Sequence, residues 1–142
     1  MTPYLASTKH IDWRDRDVAK KAAELAEGCS SDEIVAKKCF EFVRDSIKHS
    51  WDFKLNPVTC RASDVLRHET GYCYAKSHLL AALLRANNIP AGLCYQRLAT
   101  GATSAPFLSA RTQCRLPAAV RVVSHRSSGQ QGRCRRGIYS TH

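Results

Sequence analysis

A cysteine stands where a turn is predicted to lead into a long apolar helix. Gly71-Tyr72-Cys73 is followed by the apolar run at residues 75–84, and Ile89-Pro90-Ala91-Gly92 closes that run. This order predicts a turn, a helix that begins at Cys73, a helix stop and a strand. At a helix N-terminus the unpaired backbone N–H groups converge and the dipole is positive. Both favour the thiolate, which attacks carbonyl groups, so Cys73 is the predicted catalytic nucleophile.

A cysteine nucleophile needs a histidine to accept the thiol proton and a carboxylate or amide to orient that histidine. His78 follows Cys73 by five residues, which is about 140° around the helix, so a packing or hydrogen-bonding role is predicted for it. Farther downstream the histidines are His125 and His142, and no carboxylate follows Glu69. His125 is the alternative base.

Other polar or aromatic residues near this segment have less defined roles. Asp52 and Asp64 precede the nucleophile, and Gln96 has no assignable role. Tyr72 and Tyr74 are predicted either to line a cleft or to pack in the core.

The elements around Cys73 can be predicted from apolar spacing and from capping residues. Helices are predicted near residues 18–27, 32–48, 62–68 and 73–87, and a strand over residues 91–98. Gly28 is expected to end the first helix, and Ser30-Ser31-Asp32-Glu33 reads as a capping box that opens the second. Cys39 and Cys94 fall in apolar patterns and are predicted core residues. Helices followed by strands indicate an α+β fold.

Residues 43–98, with Gly-Tyr-Cys-Tyr-Ala-Lys-Ser at 71–77, resemble the transglutaminase-like superfamily of cysteine enzymes. The resemblance implies a papain-like fold, with a helical N-terminal half followed by an antiparallel sheet. It also implies thiolate attack, a thioester intermediate and release to water or an amine, with no cofactor. Members of such a fold carry out several reactions, so the fold does not choose among them. The compact motif favours hydrolysis or transfer of an amide acyl group over protein crosslinking, on a peptide or a small amide-bearing substrate.

The composition changes after the nucleophile segment. The first 69 residues hold all 12 acidic residues together with 12 lysines and arginines, whereas residues 70–142 hold 10 basic residues and no acid. All seven basic residues in 108–142 are arginines. The resemblance is expected to stop near Phe107, so residues 1–107 are assigned to the enzyme-like domain. Residues 108–142 are assigned to a basic, poorly ordered tail in which only residues 116–123 could form a strand.

A shift of reading frame near Phe107 would explain this tail. Read one nucleotide out of phase with permitted third bases, the codons can give Phe-Cys-Arg-His-Gly-Leu-Asn-Ala-Val-Tyr-Leu-Pro-Gln-Tyr-Gly-Trp-Tyr-Arg-Ile-Asp-Pro-Arg-Gly-Asn-Lys. That string resembles the superfamily's continuation, a strand with the catalytic histidine and a second strand that ends in the catalytic aspartate. The histidine codon would straddle Ala110 and Arg111, and the aspartate codon Arg126 and Ser127. Failure to complete the sheet is then expected, which would leave the 91–98 strand with an open edge.

Composition also bears on other classes of protein. The seven cysteines show no C-x-x-C spacing, so reduced thiols and a cytoplasmic location are expected. The N-terminal residues lack a signal-peptide pattern and no apolar run could span a bilayer. The net charge of +10 suggests a nucleic-acid-binding function. However, the charge lies in the tail, which lacks a binding motif, so no nucleic-acid partner is expected. A non-catalytic remnant stays open as the alternative to an enzyme, and the oligomeric state is not predicted.

Overall fold

The computed structural model describes residues 3–94 and two further strands at 119–122 and 138–140. After a 3-10 turn at Pro3–Leu5, the helices are α1 (Arg16–Ala26), α2 (Asp32–Ser46), α3 (Ala62–His68) and α4 (Cys73–Ala86). The strands are β1 (Lys48–His49), β2 (Thr70–Gly71), β3 (Ala91–Cys94), β4 (Ala119–Val122) and β5 (Ile138–Ser140). The four predicted helices are confirmed. The predicted strand is confirmed at its first four residues, and residues 95–98 lie outside the described residues.

The helix ends follow local capping chemistry. Asp15 accepts hydrogen bonds from the N–H groups of Asp17 and Val18 at the start of α1, and Gly28 follows that helix with φ +70°. At α2 the side chain of Ser31 accepts from the N–H of Ile34. The third helical position is therefore Ile34, which has no carboxylate to return a bond. The predicted reciprocal capping box is wrong, and the start of α2 is capped by Ser31 alone.

Helix α4 is the centre of the hydrophobic core. Its leucines Leu79, Leu80, Leu83 and Leu84 are fully buried, and the other three helices and β3 pack against it. Burying one such side chain contributes about 1.5–3 kcal/mol to stability. Cys39 of α2 is also fully buried, as predicted, whereas the side chain of Cys94 lies outside the described residues. The core therefore holds the helix that begins at Cys73.

Two small sheets flank this helical layer. β1 and β2 are parallel, with Lys48 opposite Thr70 and His49 opposite Gly71. The second sheet is antiparallel, in the order β3-β4-β5, with Ala91 opposite Val122. Helices followed by an antiparallel sheet confirm the α+β class.

The second sheet corrects one expectation about the C-terminal tail. Sheet completion was expected to fail, but β4 pairs with β3, and β5 pairs with β4. Alternating β-branched residues in the Ala-Val-Arg-Val run of β4 favour an extended backbone. The division of the chain at residue 107 stays a prediction.

Arg85 fastens β3 to the end of α4. Its guanidinium donates two hydrogen bonds to the carbonyl oxygen of Ala91, at 3.0 and 2.7 Å, and one to that of Ala6 at 2.6 Å. The side chain is almost wholly buried, so these bonds satisfy donors that water does not reach.

No helix among the described residues has the length and apolar character needed to cross a membrane.

Candidate active site

Cys73 is the first residue of α4 and is half-buried. Tyr72 is the N-cap in an extended conformation, and its side chain makes no capping hydrogen bond. The carbonyl oxygen of Tyr72 accepts the first helical bond from the N–H of Lys76 at 2.9 Å. The thiol therefore lies at the positive end of the helix dipole, which stabilises a thiolate. The predicted location of Cys73 at a helix N-terminus is confirmed.

The turn before Cys73 is held by β1 and by the segment that precedes α3. The N–H of Ser50 donates to the carbonyl oxygen of Gly71 at 3.2 Å. The hydroxyl of Thr59 donates to the carbonyl oxygen of Thr70 at 2.7 Å. A Cβ at Gly71 would lie 3.2 Å from both the Thr59 hydroxyl oxygen and the Cβ of Ala75. Glycine is needed at this position because three segments meet there.

Lys76, in the first turn of α4, links this helix to the end of α2. Its ammonium donates to the carbonyl oxygens of Ile47 at 2.8 Å and Arg44 at 3.4 Å, and the residue is 2 % exposed. A cation at this point complements the carbonyl groups and the negative dipole at the end of α2. Burial lowers the pKa of Lys76 from its ordinary value. The first turn of α4 is thus fixed relative to β1, which follows directly after α2.

Aromatic rings form a row beside the turn that precedes Cys73. The ring of His49 lies edge-on to that of Tyr72, with centroids 5.8 Å apart, and Tyr72 stacks on Tyr74 at 6.2 Å. Tyr74 meets His78 edge-on at 5.9 Å, and His78 stacks on His10 at 5.7 Å. Both tyrosines are half-buried. They flank Cys73 in sequence, and their rings contact each other and two histidines.

His78 has the packing and hydrogen-bonding role that the sequence predicts. Its Nδ1 lies 2.7 Å from the carbonyl oxygen of Cys60, so Nδ1 carries the proton and donates. Burial lowers the pKa of His78, only partly offset by this hydrogen bond, and His10 lowers the pKa further. His78 is therefore held neutral, with one ring nitrogen committed to the backbone.

One imidazole near the turn was missed by sequence reasoning. His49 is paired in register with Gly71, and its Nδ1 lies 3.3 Å from a carboxylate oxygen of Asp52. That nitrogen is buried and makes no hydrogen bond with good geometry. Two-residue strands show no periodicity, so the parallel pairing that brings His49 here leaves no pattern in the sequence. Asp64 instead forms an exposed ion pair with Arg67 at 3.6 Å.

The structure does not relate the remaining candidate residues to the position of Cys73. Gln96, His125, His142 and the positions where the alternative frame encodes histidine and aspartate all lie outside the described residues. Within the part of the chain that is described, no three histidine, cysteine or carboxylate side chains converge as a metal site would require. The described residues thus place the Cys73 thiol at the start of α4 and supply the contacts that hold the turn before it.

A match to a protein family covers Cys73 and the turn that precedes it. Residues 19–134 match the family model of the transglutaminase-like superfamily, so the chain belongs to that superfamily. The match extends past Phe107, so the expectation that the resemblance stops there is wrong. It also begins before residue 43, and it therefore includes α1 to α4 almost entirely. Neither curated proteins nor solved structures gave a significant match.

Proposed function

We propose that this chain is built as a papain-like cysteine enzyme that hydrolyses or transfers an amide acyl group, with Cys73 as its nucleophile. The observation that carries the proposal is the place of Cys73, the first residue of a buried helix inside the family match. A peptide or a small amide-bearing molecule is the substrate. Because a thiolate nucleophile must stay reduced, a cytoplasmic location fits this chemistry.

The proposed reaction has two steps. The Cys73 sulfur attacks the carbonyl carbon of the amide, and the C–N bond breaks as the amine leaves with a proton. The resulting thioester is then attacked by water or by a second amine, which releases the acyl group and returns the thiol. The N–H groups at the start of α4 point toward the developing negative charge on the carbonyl oxygen and stabilise it.

We further propose that turnover is impaired in this chain. No carboxylate follows Cys73, and the histidine expected from the superfamily's order would be supplied by the alternative reading frame from Phe107. The competing proposal is a non-catalytic remnant that keeps the helical half as an interaction domain. A nucleic-acid-binding module has only the arginine-rich tail in its favour, and it would bind with a steep dependence on salt.

Thiol mapping tests the nucleophile. The native chain is treated with limiting iodoacetamide at pH 7.5, and alkylated peptides are quantified by mass spectrometry. Cys73 should react much faster than Cys39, because burial, together with the nearby Cys29 thiol, raises the pKa of Cys39 to about 12. In denaturant, with both sites exposed, the two rates should converge. Equal rates in the native chain would refute the assignment of Cys73.

A further inference from the structure

Large exposed apolar side chains concentrate in one loop. Among the described residues six large hydrophobic side chains are exposed, and four of them lie within eight consecutive residues: Trp51 (64 %), Phe53 (59 %), Leu55 (36 %) and Val58 (62 %). The other two, Tyr4 and Ile34, lie apart in the sequence. Single exposed apolar residues are ordinary, whereas a cluster marks a binding surface. We call residues 50–58 the apolar loop.

The apolar loop has an ordered backbone. Its N–H groups at Phe53, Lys54 and Leu55 donate to the carbonyl oxygens of His49, Trp51 and Ser50 at 3.2, 3.4 and 3.0 Å. The ammonium of Lys48 lies 5.8 Å from the centroid of the Phe53 ring, a cation–π distance. Three successive backbone N–H groups are thus hydrogen-bonded close to the start of the loop, while the apolar side chains stay exposed. A fixed apolar surface loses little conformational entropy when it binds a ligand.

Both ends of the apolar loop are attached to the strand that leads into Cys73. At its start the N–H of Ser50 donates to the carbonyl oxygen of Gly71, and just after its end the Thr59 hydroxyl donates to that of Thr70. Thr70 and Gly71 are the whole of β2, and only Tyr72 separates them from the nucleophile. The loop that carries the exposed apolar side chains is therefore attached at both ends to the two residues that precede Tyr72 and Cys73.

We propose that the apolar loop binds a large apolar side chain of the substrate, next to the amide that Cys73 attacks. The substrate class is then a peptide with an aromatic or large aliphatic residue beside the reacting amide. This inference rests on the function proposed above. Binding of a second copy of the chain to the apolar loop is less well supported. A stable interface takes about 20–30 residues from each partner, whereas this patch spans eight.

Matched alkylating probes test this selectivity. N-(2-phenylethyl)chloroacetamide and N-(2-hydroxyethyl)chloroacetamide carry the same reactive group, and only the first offers an aromatic ring. In the intact chain Cys73 should be alkylated about tenfold faster by the phenyl probe, since partial burial of a ring gives about that preference. The double variant Trp51→Ser/Phe53→Ser should lower the preference to below about twofold, while its rate with iodoacetamide stays unchanged. The control Ile34→Ser, in an exposed apolar residue of α2, should keep the full preference.

A binding measurement that needs no reactive thiol separates this proposal from the proposed function. In the Cys73→Ala chain, N-acetyl-phenylalaninamide should shift Trp51 fluorescence, N-acetyl-serinamide should not, and Trp51→Phe should abolish the shift. If Cys73 is unreactive but this shift is observed, the enzyme proposal is refuted and the proposal of an apolar binding surface is supported. The docking proposal is overturned by equal responses to the two amides. It is also overturned if sedimentation shows a dimer that Trp51→Ser/Phe53→Ser converts to monomers.

Discussion

The ammonium of Lys76 donates a hydrogen bond to the carbonyl oxygen of Ile47 at 2.8 Å, across the junction between α4 and the end of α2. The bond is buried, so neither partner is compensated by water when the other is lost. It is also local to the site, because Lys76 stands three residues after Cys73. A structural lysine thus couples the first turn of α4 to the strand that supports the turn.

Replacing Lys76 with methionine should destabilise the fold. Lys76→Met keeps the length of the side chain but leaves the Ile47 and Arg44 carbonyl groups without their donor, at a cost of about 1–3 kcal/mol. Urea unfolding followed by circular dichroism measures this change. Lys37→Met is the matched control, because Lys37 on the surface of α2 makes only an exposed ion pair with Glu41 at 3.9 Å. Its effect should stay within about 0.5 kcal/mol; equal losses in the two variants would contradict the structural role of Lys76.

A methyl group at Gly71 should disturb the nucleophile turn. In Gly71→Ala the new Cβ would lie 3.2 Å from Ala75 Cβ and from the Thr59 hydroxyl oxygen, so β2 must shift. We expect a loss of about 1–3 kcal/mol from overpacking and a slower alkylation of Cys73. Gly28→Ala is the control, because a Cβ there meets nothing within 4 Å while its φ of +70° strains alanine by about 1–2 kcal/mol. Both variants lose stability, but only Gly71→Ala should change the Cys73 rate.

The stability of the fold should fall in mild acid because of His78. Burial lowers the pKa of this imidazole below the ordinary 6.5. Below pH 6.5 the unfolded chain therefore takes up a proton that the folded chain refuses, and unfolding is favoured until the pH passes the folded pKa. His78→Gln, whose amide can still donate to the Cys60 carbonyl, should flatten this decline in urea unfolding between pH 7 and 5. His68→Gln, in an exposed residue of α3, should leave the decline as it is; an unaltered slope in His78→Gln would contradict the assignment.

The helices and the position of Cys73 could be predicted from the sequence, and the supports of the turn could not. Helix α4 carries an apolar surface on most sides and stops near Ile89-Pro90, so local pattern predicts its start at Cys73. β1 and β2 have two residues each, and their pairing joins His49 to Gly71 across 22 positions. Pairing over that separation depends on tertiary packing, which no local pattern encodes. His49 and the attachment of the apolar loop were missed for this reason.

For the C-terminal tail, the prediction made from amino-acid composition was wrong. A surplus of arginine and an absence of acids predicted a segment that leaves the sheet incomplete, yet β4 and β5 extend the sheet from β3. Backbone pairing requires extended conformation and a free edge, and the charge of the segment does not prevent either. The incomplete sheet was also expected from the reading-frame hypothesis, so this consequence of the hypothesis is wrong, while the shift of frame itself stays a prediction. Sequencing the coding DNA around Phe107 tests it directly.

Our last prediction concerns activity. This chain should show a reactive thiol at Cys73 with little or no turnover of amide substrates, because no carboxylate follows Cys73 and the histidine of the superfamily's order is expected in the alternative frame. Loss of triad members removes several orders of magnitude in rate and leaves what binding and the oxyanion site supply. Restoring the alternative frame from Phe107 should recover amide hydrolysis or acyl transfer. The Cys73→Ala variant of the restored chain, its matched control, should be inactive.

Turnover of amide substrates by this chain would contradict the prediction. If this chain already turns over amide substrates at ordinary enzymatic rates, then another histidine acts as the base; His125 is the first candidate, and His125→Gln should abolish the activity. The reading-frame hypothesis would then be wrong in its main consequence. A restored chain that stays inactive while Cys73 is readily alkylated would instead favour the non-catalytic remnant, because nucleophile, base and orienting acid would all be present without producing turnover.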